Sequence, residues 1–374
     1  MQKILYIALI TSLMLFQGQI FVGSPTIVQS ISFGAKCDGV TDDTAHIQAA
    51  IDAAFGPASA PHGNTGNQVL NKPLQIQQGH CIVTGSGLQL TKVMGGLISG
   101  AGRFATNIEN TSGGNVFTTN GFEYFKIENM KLTTSGSGIA FDWDWDGTSN
   151  AGCQSVTFSD MFFDHGSVGV RIGNSGFQCS EGYFSNNFYN ATSRAGIETV
   201  NFNALQHTVV GGNFQSNNIG ILVSMGSIPV IHGVGFQTSA VWDIEVDASA
   251  NDTYDIAGVR TESANFANFV RGSAKISAVT QANGNSGVFV QAANHQVTLE
   301  NCISYNGQIS FAKGGSITSS EFGRTNPILN GAGSVLFLAR VHYGATYDGS
   351  GAGMPADYQL GYMNGDMAFH TLGP

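Results

Sequence analysis

From about residue 125 onward, short apolar runs recur along the chain in one pattern. Each has an apolar residue, one spacer, then Asn, Asp, Gly or Ser, and usually another apolar residue. Examples are K-I-E-N-M-K-L, T-F-S-D-M-F-F, V-I-H-G-V-G-F and T-L-E-N-C-I-S. The first apolar residue serves as a register mark. Marks fall at Ile127, Phe158, Phe184, Val210, Ile231, Ile256, Ile276, Leu299, Ile317 and Leu336. The steps between them run from 18 to 31 residues and average about 23. A strand-rich period in the twenties predicts a solenoid. The L-x-x-L-x-L pattern of leucine-rich repeats is absent, and no helical periodicity separates the strands. What remains is an all-β chain wound as a single-stranded parallel β-helix, each coil stacked on the last at ~4.8 Å.

Two residues after most marks stands Asn, Asp or Gly: Asn129, Asp160, Asn186, Gly212, Gly233, Gly258 and Asn301. These residue types tolerate left-handed backbone angles, so a tight corner is expected there. A second strand follows in most coils, as in G-I-A-F-D, G-V-R-I-G, G-I-E-T-V, G-I-L-V-S and D-I-E-V-D. Alternation sends its branched residues inward and the residue between them outward. The expected outward column is Ala140, Arg171, Glu198, Leu222, Glu245 and Val270. The next is Asp142, Gly173, Ser224, Asp247 and Gln291.

The repeat also predicts a disulfide. Cys153 and Cys179 each lie five residues before a mark and 26 apart, the length of that coil. Stacked on adjacent rungs, their Cα atoms come within bonding range. Cys302 falls in an inward slot and is expected in the core. Cys37 and Cys81 are candidates for a second bond near the N-terminus, although no spacing fixes their distance.

Residues 33–44 read F-G-A-K-C-D-G-V-T-D-D-T and are followed by A-H-I-Q-A-A-I-D-A-A. Thr41 or Asp42 can cap a helix whose apolar face is Ala45, Ile47, Ala50, Ile51 and Ala54. G-H-C-I-V-T-G-S-G-L-Q-L follows, then I-S-G-A-G-R-F-A-T-N-I. In this order the segments resemble the N-terminal part of the pectate-lyase superfamily of right-handed β-helices. That group includes rhamnogalacturonase-like and epimerase-like proteins and many phage tailspikes. The motifs cover about 80 residues, and the repeat extends the likeness to about residue 345. The resemblance implies a capping helix and first rungs over 25–110, a β-helix over 111–345 and a tail over 346–374. It implies action on a polysaccharide lying over the second strand. It implies no particular reaction. G-A-G-R-F-A lacks the following helix of a dinucleotide loop and is expected to be a turn.

Composition narrows the picture. Only 11% of residues are charged and the net charge is −10, which disfavours nucleic acid as a partner. Lys3 and the apolar run Ile4–Phe16 have the form of a signal peptide ending near residue 24. A secreted or cell-surface location is therefore expected, where disulfides persist.

Candidate chemistry is sparse. G-x-S-x-G, C-x-x-C and H-E-x-x-H are all absent. The N-T-D, D-D and G-H-G signatures of polygalacturonases are missing from the coils. Glycoside hydrolysis needs two placed carboxyl groups. Glu198 and Glu245 stand two rungs apart, ~9.6 Å, and Glu245 and Asp247 ~7 Å apart along one strand. Both separations suit an inverting pair. Arg171, on the rung beside Glu198, is expected to hold that carboxylate ionised. Arg171 or Arg260 would instead serve as base in a lyase. F-D-W-D-W-D-G at 141–147 puts Asp142, Asp144 and Asp146 on one side, matching the start of a calcium loop without its twelfth-position Glu. Trp143 and Trp145 on the other side offer faces for sugar rings. Asp160 belongs to the corner ladder. Asp164 and His165 read as a turn, or as an acid–base pair. The leading expectation is an exported glycoside hydrolase or polysaccharide lyase that requires no cofactor, with calcium as the candidate ion. The alternative is a non-catalytic adhesin or tailspike-like homotrimer.

Overall fold

Three strands, not two, make up each coil of the observed solenoid. The computed structural model describes residues 27–60, 71–148, 151–247, 253–282, 287–304 and 307–322. It also describes segments at 328–330, 336–339, 341–343, 361–363 and 369–371. The expected signal peptide lies outside the described residues. A mark strand such as Cys153–Ser159 leads through a corner to a short strand, Phe162–Asp164, and then to a third strand, Val168–Ile172. Each pairs in parallel with its counterparts on neighbouring coils. The faces are called here the mark face, the short face and the groove face.

The marks stack nearly as the period requires. Ile127 pairs with Phe158, Phe158 with Phe184, and Ile256 with Ile276. Two marks are corrected. Phe184 pairs with Val209 rather than Val210, and Ile317 with Leu338 rather than Leu336. The apolar neighbours Val209 and Val210, and Leu336 and Leu338, offer equal hydrophobic signals. Only strand pairing separates them.

The corner after the mark strand is a column of left-handed residues. Asn129, Asp160, Asn186, Gly211, Gly233, Gly258, Ala278, Asn301 and Ser319 all have positive φ. Alanine in this region costs ~1–2 kcal/mol. Ala278→Gly is therefore expected to stabilise the protein by about 0.5–1 kcal/mol after the entropic cost of glycine, readable as a raised urea midpoint.

Inside, the short strands contribute a ladder of rings. Phe163, Tyr189, Phe214 and Phe236 stack with centroids 5.0, 4.4 and 5.0 Å apart, matching the coil rise. Glycines face them: a Cβ on Gly196 would lie 2.6 Å from Phe214, and one on Gly220 2.6 Å from Phe236. The ladder then turns polar. Thr261, Gln281 and Ser304 take the ring positions on the next coils, and Asp243 stands one coil beyond Gly220. All four are buried.

The N-terminal helix runs Thr44–Phe55 and buries Ile47, Ala50, Ile51, Ala54 and Phe55. Ala45 is exposed, contrary to expectation, because it lies about 200° around the helix from Ile47, on the face opposite the buried stripe. The helix start is Asp43. Its carboxylate, fully buried, accepts the backbone N–H groups of Lys36 and Cys37 at 2.8 Å. Asp42 accepts Thr44, and Asp38 accepts Val40 and Thr41. The acidic motif thus folds the cap. G-A-G-R-F-A is a turn, with no helix after it.

Cys37 is bonded to Cys81, and Cys153 to Cys179 with Cα atoms 4.3 Å apart. Cys302 is free and buried. A closed loop of 26 residues predicts that Cys153→Ser with Cys179→Ser costs about 3 kcal/mol, measurable by denaturant unfolding. At the far end, Gly361–Met363 pairs antiparallel with Leu336–Leu338.

Candidate functional site

The outward column of the groove face runs Asp142, Arg171, Glu198, Leu222, Glu245, Asn268 and Gln291 by strand register. Two expected members are corrected. Asp142 takes the place of Ala140, which is fully buried, and Asn268 replaces Val270. In both cases the slip is two residues. Such a slip leaves in–out alternation unchanged, so the apolar pattern cannot reveal it.

The true register changes the partners. Arg171 donates to both oxygens of Asp142, Nε to Oδ1 at 3.0 Å and Nη2 to Oδ2 at 2.7 Å. It does not hold Glu198. A guanidinium fork matches a carboxylate plane, so this pair is closed on itself. Arg260, the other proposed lyase base, lies on the short face and bonds Glu262 at 2.9 Å. Glu198 is instead held by Arg194, whose Nε lies 2.7 Å and Nη2 2.5 Å from Oε1. The Glu198 side chain is only 3% exposed, against 54% for Arg194. Arg194 covers the carboxylate and is drawn also toward Glu245, and the Glu198 bond raises its own pKa. The sequence reading missed Arg194, which precedes the strand at a corner where alternation gives no direction.

Glu245 is half-buried, and Asp247, two residues on, is exposed. Burial raises the Glu245 pKa, and the Asp247 charge raises it further. Asn268, 3.5 Å from Oε1, and Arg194 oppose the shift. Two carboxyl groups two residues apart therefore sit in unlike surroundings, Glu245 on the strand Trp242–Val246 and Asp247 just past its end.

A small apolar ledge lies beside them. Ala195, Ile219 and Leu222 form a cluster separate from the solenoid core, and the half-buried ring of Trp242 packs on it. Trp143 is different. It is fully buried, donates from Nε1 to the Phe122 carbonyl at 3.1 Å, and offers no face to a ligand. Trp145 is partly buried and lies 5.7 Å from the Phe177 ring.

The acidic trio is dispersed among protein donors. Asp144 accepts the Ser175 N–H at 2.8 Å and the Ser175 hydroxyl. Asp146 accepts the Thr148 N–H and hydroxyl and Asn120, which lower its pKa, the Thr148 hydroxyl most. Among the described residues, acidic, His or Cys ligand atoms converge only at Cys37, Asp43 and Cys81. There the sulfurs are joined to each other and Asp43 holds backbone amides. Asp142, Asp144 and Asp146 thus do not gather as the ligands of a calcium loop do.

No protein-family model matches the sequence, and no curated protein matches it. Solved structures do share the fold. The Geobacillus virus E2 protein ORF18 aligns at TM-score 0.38 and 16% identity, over 89% of this chain and 64% of its own. The Agl-KA catalytic domain aligns at 0.51 and 14% identity, over 86% of this chain and 66% of its own. PfbA, a surface adhesin of Streptococcus pneumoniae, aligns at 0.51 and 11% identity, over 93% of this chain and 100% of its own. The chain thus spans just under two thirds of the first two. The likeness is one of fold. The right-handed parallel β-helix expected from the sequence resemblance is the fold observed. Among the described residues no helix is long and apolar enough to cross a membrane.

Proposed function

We propose that the protein is a glycoside hydrolase acting on a polysaccharide laid along the groove face. Glu245 is the proton donor and Asp247 the base. One observation carries this reading: Glu245 has its pKa raised by burial and by Asp247, while Asp247 stands exposed just past the end of the same strand. A carboxyl kept protonated by burial beside an exposed one is how acid and base roles are divided between two such groups. Their Cα atoms lie ~7 Å apart along the strand, which suits inversion. Glu245 gives its proton to the glycosidic oxygen as the C–O bond breaks. Asp247 takes a proton from the water whose oxygen bonds the anomeric carbon. The Trp242 ledge supplies an apolar seat for a sugar ring. Glu198, shielded by Arg194, positions Arg194 beside Glu245 rather than meeting the substrate. The two disulfides support an oxidising, extracytoplasmic location.

The test is a polysaccharide panel read by reducing ends and by the absorbance of unsaturated uronates, with and without calcium. The expected result is reducing ends without absorbance. Calcium-dependent absorbance would replace the hydrolase with a lyase. A second reading, a non-catalytic glycan-binding adhesin or tailspike-like homotrimer, is favoured by the ion pairs that close Asp142 and Glu198. Tight binding without turnover would establish it.

A further inference from the structure

A second constellation stands on the short face, away from Glu245 and Asp247. Asp164 is 5% exposed and has three partners. Lys131 Nζ lies 2.6 Å from Oδ2, and Asn190 Nδ2 donates to Oδ1 at 2.8 Å. His165 Nδ1 lies 2.9 Å from Oδ1, and the His165 side chain is 60% exposed. A carboxylate on Nδ1 fixes the proton there and leaves Nε2 as an outward acceptor. The dyad borders a pocket of about 570 Å³ whose lining includes Glu109, Thr133, Ser135 and Ser193. That volume lies within the range of small-molecule sites.

An aromatic track lies next to the pocket. Phe162, two residues before Asp164 on the same strand, stacks edge-on with Phe188 at 4.8 Å and with Phe104 at 5.9 Å. The Phe104 side is open, at 79% exposure. Lys131 joins the two features, since its Nζ also lies 4.7 Å from the Phe162 ring.

We propose that this pocket and track form a second site that binds a sugar unit of a neutral glycan. Sugar rings present C–H faces to aromatic side chains and hydroxyl edges to polar ones, and both are here on one face. Glu109, Thr133 and Asp164 are already held by His80, Asn107, Lys131 and Asn190, so these groups need little ordering on binding. Charge selects the class. Glu109 and Asp164 disfavour a uronate, while Lys131 is engaged by Asp164 and Arg103 by the Asn186 carbonyl.

The experiment is titration calorimetry with hexaoses of glucose, mannose and galactose, on Glu245→Gln protein so that nothing is consumed. At least one hexaose is expected to bind. Phe104→Ala and His165→Asn should each weaken it five- to tenfold with unchanged melting temperature, and Phe104→Tyr should retain it. Asparagine tolerates the left-handed backbone at position 165 (φ 60°). Trp242→Ala should leave this binding intact. Absence of binding by every hexaose overturns the proposal. So does binding that ignores Phe104→Ala and His165→Asn, or that is lost with Trp242→Ala. Hydrolysis by the groove face is scored separately by the polysaccharide panel, so either reading can fail alone.

Discussion

Glu245→Gln is expected to lower kcat by about 10³-fold, within the 10²–10⁴ that a positioned proton donor supplies. Asp247→Asn should cost a similar factor, because a water without a base attacks slowly. Glu198→Gln should cost about tenfold or less and act mainly through KM, since its carboxylate lies beneath Arg194 and shielded from solvent. The pH profile gives a second reading. The reaction requires Glu245 protonated, and burial and Asp247 raise its pKa. Activity should therefore persist above the ordinary carboxylate range and fall as Glu245 ionises. In the residual activity of Asp247→Asn, the basic limb should move to lower pH, because one cause of the upward shift is gone. A loss in Glu198→Gln equal to that in Glu245→Gln would move the chemistry one strand pair away.

Asp243→Asn is expected to stabilise the protein at neutral and alkaline pH. Asp243 lies inside the solenoid with no exposure, where an aromatic ring or a glycine stands on neighbouring coils. Burial pushes its pKa up to about 7, against the pull of the Ser239, Ser263 and Thr261 hydroxyls. The unfolded chain would release that proton near pH 4. The folded protein thus binds one more proton between about pH 4 and 7, and stability falls as pH rises through that window. Its contribution is fully present below about pH 4 and lost above about pH 7. The loss is on the order of 2–4 kcal/mol. Asparagine carries no charge to bury. At pH 8 the variant should melt several degrees above wild type, and the two should converge near pH 4. Equal melting at pH 8 would mean that the interior hydroxyls suffice to hold the charge.

Much of the fold was legible because it rests on local stereochemistry. Ile127, Phe158 and Phe184 announce the stack, since inward apolar residues recur once per coil. Asn129 and Asn186 announce the corner, since few residue types accept a positive φ. The bond between Cys153 and Cys179 follows from the coil length that separates them. The short strand was harder to see. Phe162–Asp164 holds three residues, too few for a period to show.

The candidate site was legible only in part. Glu198 and Glu245 lie in the outward column of the groove face, as alternation expects, and Asp247 is exposed just past the strand end. Their neighbours were not found. Arg171 was assigned to Glu198 and belongs to Asp142, while Arg194 went unnoticed. Trp143 was taken for a sugar platform and is core, whereas Trp242 lies on the ledge beside the carboxyl groups.

The amino-acid sequence by itself determined the solenoid, its corners, its capping helix and which residues alternate outward. These depend on side-chain period and on backbone angles that each residue sets for itself. Only the tertiary structure decided which outward side chains stand side by side. Coils differ in length, and a two-residue slip keeps every apolar residue inside. The pairing of one charge with another is therefore fixed by hydrogen bonds between coils, which the hydrophobic pattern does not encode.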